Sequence, residues 1–303
     1  MTLTDSILSS CTLCPRMCRT DRLHGQKGFC GEIGRYPRAA RAGLHLWEEP
    51  CISGETGSGT VFFSGCTMRC DYCQNRSLSR GETGFPVTPE RFAEICLSLE
   101  RQGANNINLV TPTHFLPMIL EGIPLARTAG VTVPFLMNCG GYERQETLKM
   151  LEGYISVYLP DFKYWENETA IRYSSAPDYR TYAQKAIREM VRQTGKPIFN
   201  EKGILQRGVI VRHLLLPGHV EESKKILASL SDEYGDRIIL SIMNQYTPMP
   251  AVRFDELKRP VTAEEYEELV SYAVDLGIEN AYIQEGGTVT ESFIPAFDGT
   301  GIL

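Results

Sequence analysis

Thr60-Val61-Phe62-Phe63-Ser64-Gly65-Cys66-Thr67-Met68-Arg69-Cys70-Asp71-Tyr72-Cys73-Gln74-Asn75 is the stretch on which the reading of this chain turns. An apolar run ends at a Ser-Gly turn, and three cysteines follow, spaced by three residues and then by two. Three thiolates hold three of the four irons of a cubane cluster and leave the fourth free for an external ligand, whereas a purely electron-transferring 4Fe-4S site takes four protein cysteines. Cys66, Cys70 and Cys73 are therefore expected to carry an open 4Fe-4S cluster, with a zinc site or plain buried thiols as the alternatives.

Outward from this stretch, apolar strands alternate with helical periodicity, the pattern of a parallel sheet covered by helices. Strands are expected at 60–64, 106–110, 133–137, 155–159, 209–216 and 238–242, with a shorter one at 280–283. Thr88 with Pro89 opens a helix that Gly103 closes, and Thr262 with Glu265 reads as a capping box. So few βα units do not close an eight-stranded barrel, and no Gly-x-Gly-x-x-Gly follows the first strand to favour a dinucleotide fold. The fold class expected is α/β, an open (incomplete) βα barrel over residues 59–303. In such barrels the chemistry sits at the C-terminal ends of the strands, where the cysteine loop falls.

Residues 1–58 carry a second cysteine group, Cys11-x-x-Cys14-Pro15-Arg16-Met17-Cys18 and then Cys30 between glycines. Four soft ligands with tight spacing point to a tetrahedral thiolate site, holding zinc or an auxiliary Fe-S cluster; cysteines that bind nothing stably are the alternative. Cys51, Cys96 and Cys139 have no such company, and Cys96 lies on the apolar face of a helix. The chain has 303 residues, 42% of them hydrophobic, enough for a sizeable core. Its net charge of -6 is uneven: residues 1–45 hold seven Arg/Lys against three Asp/Glu, and the rest 24 against 34. Arg-rich loops are ordinarily solvated, so nucleic acid is not an expected partner. With no basic leader, no apolar run of spanning length and ten cysteines, seven of them in ligand-like groups, a cytoplasmic protein without a membrane partner is expected.

The other strand ends offer polar groups to the same face. The second expected strand runs into Thr111-Pro112-Thr113-His114, the third into Asn138-Cys139-Gly140-Gly141, and the fourth into Asp161-Phe162-Lys163. Asp161 and Lys163 share one side if the alternation persists, suited to each other or to a zwitterion. Arg212 and His213 take opposite faces of the fifth, and Arg212 reads either as a ligand contact or as a structural ion pair.

These motifs together resemble the radical S-adenosylmethionine (SAM) superfamily, and within it the pyruvate formate-lyase activating enzyme group, specifically PflX-like relatives with an N-terminal Cys-x-x-Cys-Pro segment. The resemblance runs through Cys11 to Cys30, Glu48-Glu49-Pro50, Ser64 to Asn75, Val110 to His114, Tyr158 to Tyr164, Arg212 to Gly218 and Asn244 to Pro248. It implies that SAM chelates the open iron and that Tyr72 lies against the adenine. It also implies that Asp161 and Lys163, and with them Asn138, serve the methionyl end, beside a monovalent cation in activating enzymes. Thr113, His114 and Arg212 complete the expected cofactor-binding set. Two departures stand out: Thr111-Pro112-Thr113 replaces the Gly-Gly-Glu that binds the SAM amino group in such enzymes, and Asn244-Gln245-Tyr246 replaces a Pro-Tyr-His.

The reaction implied is reductive cleavage of SAM to a 5′-deoxyadenosyl radical that abstracts hydrogen from a substrate. A one-electron donor of flavodoxin or ferredoxin type is the implied partner. A protein substrate, as for glycyl-radical-enzyme activases, is the expected target; a small-molecule substrate and a non-enzymatic iron-sulfur storage or regulatory role are the alternatives. The large substrate is expected because beyond the sixth strand only a loop, a helix, a short strand and the tail 285–303 remain to roof the site.

Overall fold

A computed structural model describes residues 2–284 and 295–303. Its strands are β1 (Arg38–His45), β2 (Ser58–Phe63), β3 (Phe85–Pro86), β4 (Ile107–Val110), β5 (Phe135–Cys139), β6 (Val157–Pro160), β7 (Ile198–Phe199), β8 (Leu205–Leu214), β9 (Ile239–Met243) and β10 (Ala281–Ile283). All seven expected strands are present, as β2, β4, β5, β6, β8, β9 and β10, and every neighbouring pair among them is parallel. Sheet order is β10-β9-β8-β6-β5-β4-β2-β1-β3, and among the described residues the two ends do not pair, so the βα barrel is open as expected.

β2, β4, β5 and β6 are buried at every position, which explains why they read as unbroken apolar runs rather than as alternating ones. The helices that cover them begin where their caps place them. Thr88 Oγ1 accepts from the Arg91 amide at the start of the helix Pro89–Arg101, and Thr262 with Glu265 forms the capping box of Ala263–Asp275.

Three strands were not anticipated, the two-residue β3 and β7 and the longer β1. β1, from within residues 1–58, pairs antiparallel with β2 and carries the sheet past the parallel part, with β3 added on its far side. It ends at His45, opposite Ser58 at the start of β2, so Trp47 and Glu48 reach the cavity lining from the other end of the sheet than the loop that follows β2.

Candidate functional site

A cavity of about 290 Å³ opens at the C-terminal ends of the parallel strands, and Cys66, Cys70 and Cys73 all line it. Gly65 starts their loop with φ +79°, and a Cβ there would come within 2.7 Å of the Cys30 carbonyl oxygen, so both the turn and the close approach require glycine. Behind it, His114 Nε2 lies 2.7 Å from the Ser64 carbonyl. Burial, with Arg22 adding to it, lowers the His114 pKa to about 3. The ring is therefore neutral, and Nε2–H donates to Ser64. Burial pushes the Cys66 thiol up to about 12 and raises that of Cys73; a coordinated metal deprotonates a thiol outright.

Facing the thiols is a charged group drawn from four strands or strand ends. Arg212 Nε donates to Asp161 Oδ1 at 3.0 Å, Nη2 to Asn138 Oδ1 at 2.6 Å and Nη1 to Glu48 Oε2 at 3.4 Å. Lys163 Nζ reaches Asp161 Oδ2 at 2.5 Å, so the expected alternation does put these two side chains together. Burial alone would raise the Asp161 pKa, but the Arg212 and Lys163 charges outweigh it and hold the carboxylate below its ordinary range. Burial works against the charge on Arg212 and Lys163 too, and the surrounding carboxylates reverse it, raising both. The two strand ends meet closely because Gly141, at φ +78°, leaves room where a Cβ would sit 2.0 Å from the Asp161 carbonyl oxygen.

Tyr72 packs its ring against Tyr246, Tyr173 and Tyr164, with centroids 6.0, 6.4 and 6.5 Å apart. Its hydroxyl lies 2.8 Å from that of Tyr164, which in turn is 2.7 Å from Ser174 Oγ. Ser174 Oγ donates to Cys70 Sγ at 2.9 Å.

Thr113 and His114 are buried and do not line the cavity; Thr111, two residues earlier, does. Thr111 adopts φ +57°, which turns the chain at the end of β4 and carries the next residues behind the wall. Thr113 Oγ1 there donates to Glu143 Oε1 at 3.0 Å. Glu143 itself lines the cavity, its other oxygen is buried without a partner among the described residues, and burial raises its pKa to about 7. Glu143 and Glu48 are acidic wall residues that sequence reasoning did not assign. Glu48 stands in a motif that carried the resemblance without a role, and Glu143 follows the Gly140-Gly141 pair by two residues.

The four N-terminal cysteines lie near enough for their charges to act on one another. Among the described residues no three His, Cys, Asp or Glu side chains converge on a single metal ion. For Cys66, Cys70 and Cys73 that is compatible with a cubane, since each thiolate takes a different iron and the three need not meet at one point. Arg16, between Cys14 and Cys18, fastens the segment to the cysteine loop: it donates to the carbonyls of Thr67 at 3.0 Å, Ser174 at 2.9 Å and Ser175. Arg144 and Thr147 donate to the Thr12 and Leu13 carbonyls at 2.6 and 2.7 Å. No helix of the described residues is long and apolar enough to cross a membrane.

An open parallel βα barrel with three thiols and a buried charged group at its strand ends defines a class, and the sequence profile of the radical SAM superfamily matches residues 60–230; this chain belongs to that superfamily, whose members use a 4Fe-4S cluster and SAM. An uncharacterized protein of Methanocaldococcus jannaschii is 27% identical over 287 residues, covering 91% of this chain and 78% of its own. Lipoyl synthase of Mycobacterium avium is 22% identical over 224 residues, covering 70% and 65%. Among solved structures, Streptococcus suis SuiB bound to S-adenosylmethionine aligns with a TM-score of 0.48 at 11% identity, over 73% of this chain and 48% of that one. The FeFe-hydrogenase maturase HydG of Carboxydothermus hydrogenoformans aligns with a TM-score of 0.48 at 15% identity, over 78% and 53%. This chain thus spans about half the length of both structures.

Proposed function

We propose that Cys66, Cys70 and Cys73 hold a 4Fe-4S cluster whose open iron binds SAM, and that the protein uses it to abstract hydrogen from a polypeptide substrate, in the manner of the activating-enzyme group and its PflX-like relatives. The observation that carries the reading is that three thiols and the Asp161–Lys163–Arg212–Asn138 group line one cavity. When bound, the cluster and SAM supply an electron and a radical precursor. The chain's own residues bind, orient and exclude water. Lys163 meets a carboxylate, Asp161 and Asn138 meet the polar methionyl end or a monovalent cation beside it, and Arg212 holds both of these side chains in place. Tyr72 supplies an aromatic wall for the adenine. Thr113 and His114 act from behind the wall, through Glu143 and Ser64.

A cavity of about 290 Å³ stands at the lower limit of small-molecule sites, and it must take both cluster and cofactor. Little enclosed space is left for a separate small substrate, which supports a substrate entering as part of a larger molecule. The sequence argument from a missing cover rests partly on residues 285–294, which lie outside the described residues. The N-terminal four-cysteine segment is a structural zinc site or an auxiliary cluster in this reading. A flavodoxin or ferredoxin supplies the electron in the cytoplasm.

The test is anaerobic reconstitution followed by reduction with SAM. The wild-type protein is expected to form 5′-deoxyadenosine, and Cys66→Ala to form none, since losing one thiolate leaves an iron unsupported. A Cys66→Ala protein that still cleaves SAM overturns the cluster assignment. Deuterium reaching 5′-deoxyadenosine only from the small-molecule fraction of labelled extract overturns the polypeptide substrate.

A further inference from the structure

Tyr72, Tyr164, Ser174 and Cys70 form one line of contacts, at 2.8 Å between the two phenols, 2.7 Å from Tyr164 to Ser174 and 2.9 Å from Ser174 to the sulfur. All four residues are buried, so water does not compete for these groups. Each hydroxyl brings one hydrogen. A cysteine that ligates iron is a thiolate and only accepts. Ser174 must then give its hydrogen to Cys70, which leaves its oxygen to accept from Tyr164. Tyr164 has one hydrogen for Ser174 Oγ and the Tyr72 oxygen, both of which it faces as donor. The Ser174 hydroxyl dipole is thus aimed at the sulfur.

We propose, on the reading that Cys70 ligates the cluster, that Ser174 is a positioning residue that sets the cluster's reduction potential through its hydrogen bond to Cys70, with Tyr164 behind it. A reduced cluster carries one more negative charge, and a donor to a ligating sulfur stabilises that charge more than the oxidised state. Hydrogen bonds aligned in series strengthen one another, so Tyr164 adds to the effect of Ser174 without touching the sulfur. Ser174 cannot drift from its place: it ends the helix Asn167–Ser174, Arg16 holds its carbonyl at 2.9 Å, and the Asp71 amide of the cysteine loop donates to the neighbouring Tyr173 carbonyl at 2.8 Å.

The test is an EPR-monitored redox titration of the reconstituted full-length protein without SAM. Ser174→Ala is expected to lower the midpoint by about tenfold in the reduction equilibrium, about 59 mV for one electron. Tyr164→Phe is expected to lower it by less, and Ser174→Thr, which keeps the hydroxyl, to leave it near the wild-type value. A merely structural role for Ser174 would not order the variants this way. If Ser174→Ala fails to assemble a cluster, Ser174→Thr and Tyr164→Phe carry the test by the same criterion. A wild-type protein with no titratable cluster refutes the function proposed above; a cluster with the same midpoint in wild type, Ser174→Ala and Tyr164→Phe refutes the role of Ser174 alone.

Discussion

Replacing His114 by phenylalanine should remove an acid sensitivity from the protein. Burial first, and then the Arg22 charge, lowers this histidine from 6.5 to about 3, while its bond to the Ser64 carbonyl works in the opposite direction. A depressed folded-state pKa means that the unfolded chain takes up a proton below pH 6.5 and the native state does not. The contribution to stability is therefore complete above that pH and is lost as the pH falls toward the folded value. Between about pH 7 and about pH 5 the loss is about 2 kcal/mol, at 1.36 kcal/mol for each unit. His114→Phe keeps a ring against Phe115, whose centroid is 4.3 Å away, but leaves the Ser64 carbonyl unpaired, a cost of about 1–3 kcal/mol that does not vary with pH. The variant should thus be less stable than wild type at pH 7, and the gap should shrink by about 2 kcal/mol, or reverse, at pH 5. Urea unfolding of both proteins at the two pH values measures it. An unchanged gap would mean that His114 is protonated in the fold or reached by solvent.

Lys163→Ala should leave the visible absorption of the reconstituted cluster intact and weaken SAM binding by about tenfold to a hundredfold, the range of a lost charge-assisted contact, as read by equilibrium dialysis; unchanged affinity would confine Lys163 to its pair with Asp161. Substituting Cys11, Cys14, Cys18 and Cys30 one at a time, with metals counted by mass spectrometry, should remove one class of metal and cost more stability than changes at Cys66 to Cys73, because binding at a structural site is folding free energy. Loss of iron without zinc would mark an auxiliary cluster, and loss of neither would remove the metal site.

The parallel strands were legible because burial on both faces leaves mostly apolar residues along them, as at 135–137 in β5. β1 was not, because Arg38, Ala39, Ala40 and Arg41 lack strand propensity and an irregularity between Ala39 and Arg41 breaks the alternation. β8 begins four residues earlier than its apolar pattern suggests, since its start is held by antiparallel pairing with β7. At the site, Asn138, Asp161, Lys163 and Arg212 were within reach of the strand-end rule, and all four line the cavity. The same rule carried Thr113 and His114 to the wall, and the left-handed turn at Thr111 is what takes them behind it. Nothing in the local pattern announces such a turn at a threonine. Glu48 depends on β1 to bring it in, so missing the strand meant missing the carboxylate.

The bridge made by Arg16 also has a place in time. The carbonyl of Ser175 that it grips is made 159 residues after it. At about 5–20 residues per second, a ribosome takes roughly 8 to 30 seconds to supply that partner. Through this interval Cys11, Cys14, Cys18 and Cys30 belong to a nascent chain with no barrel to dock against. The N-terminal thiols therefore meet the cell's metals and oxidants before the cavity that they later flank has formed.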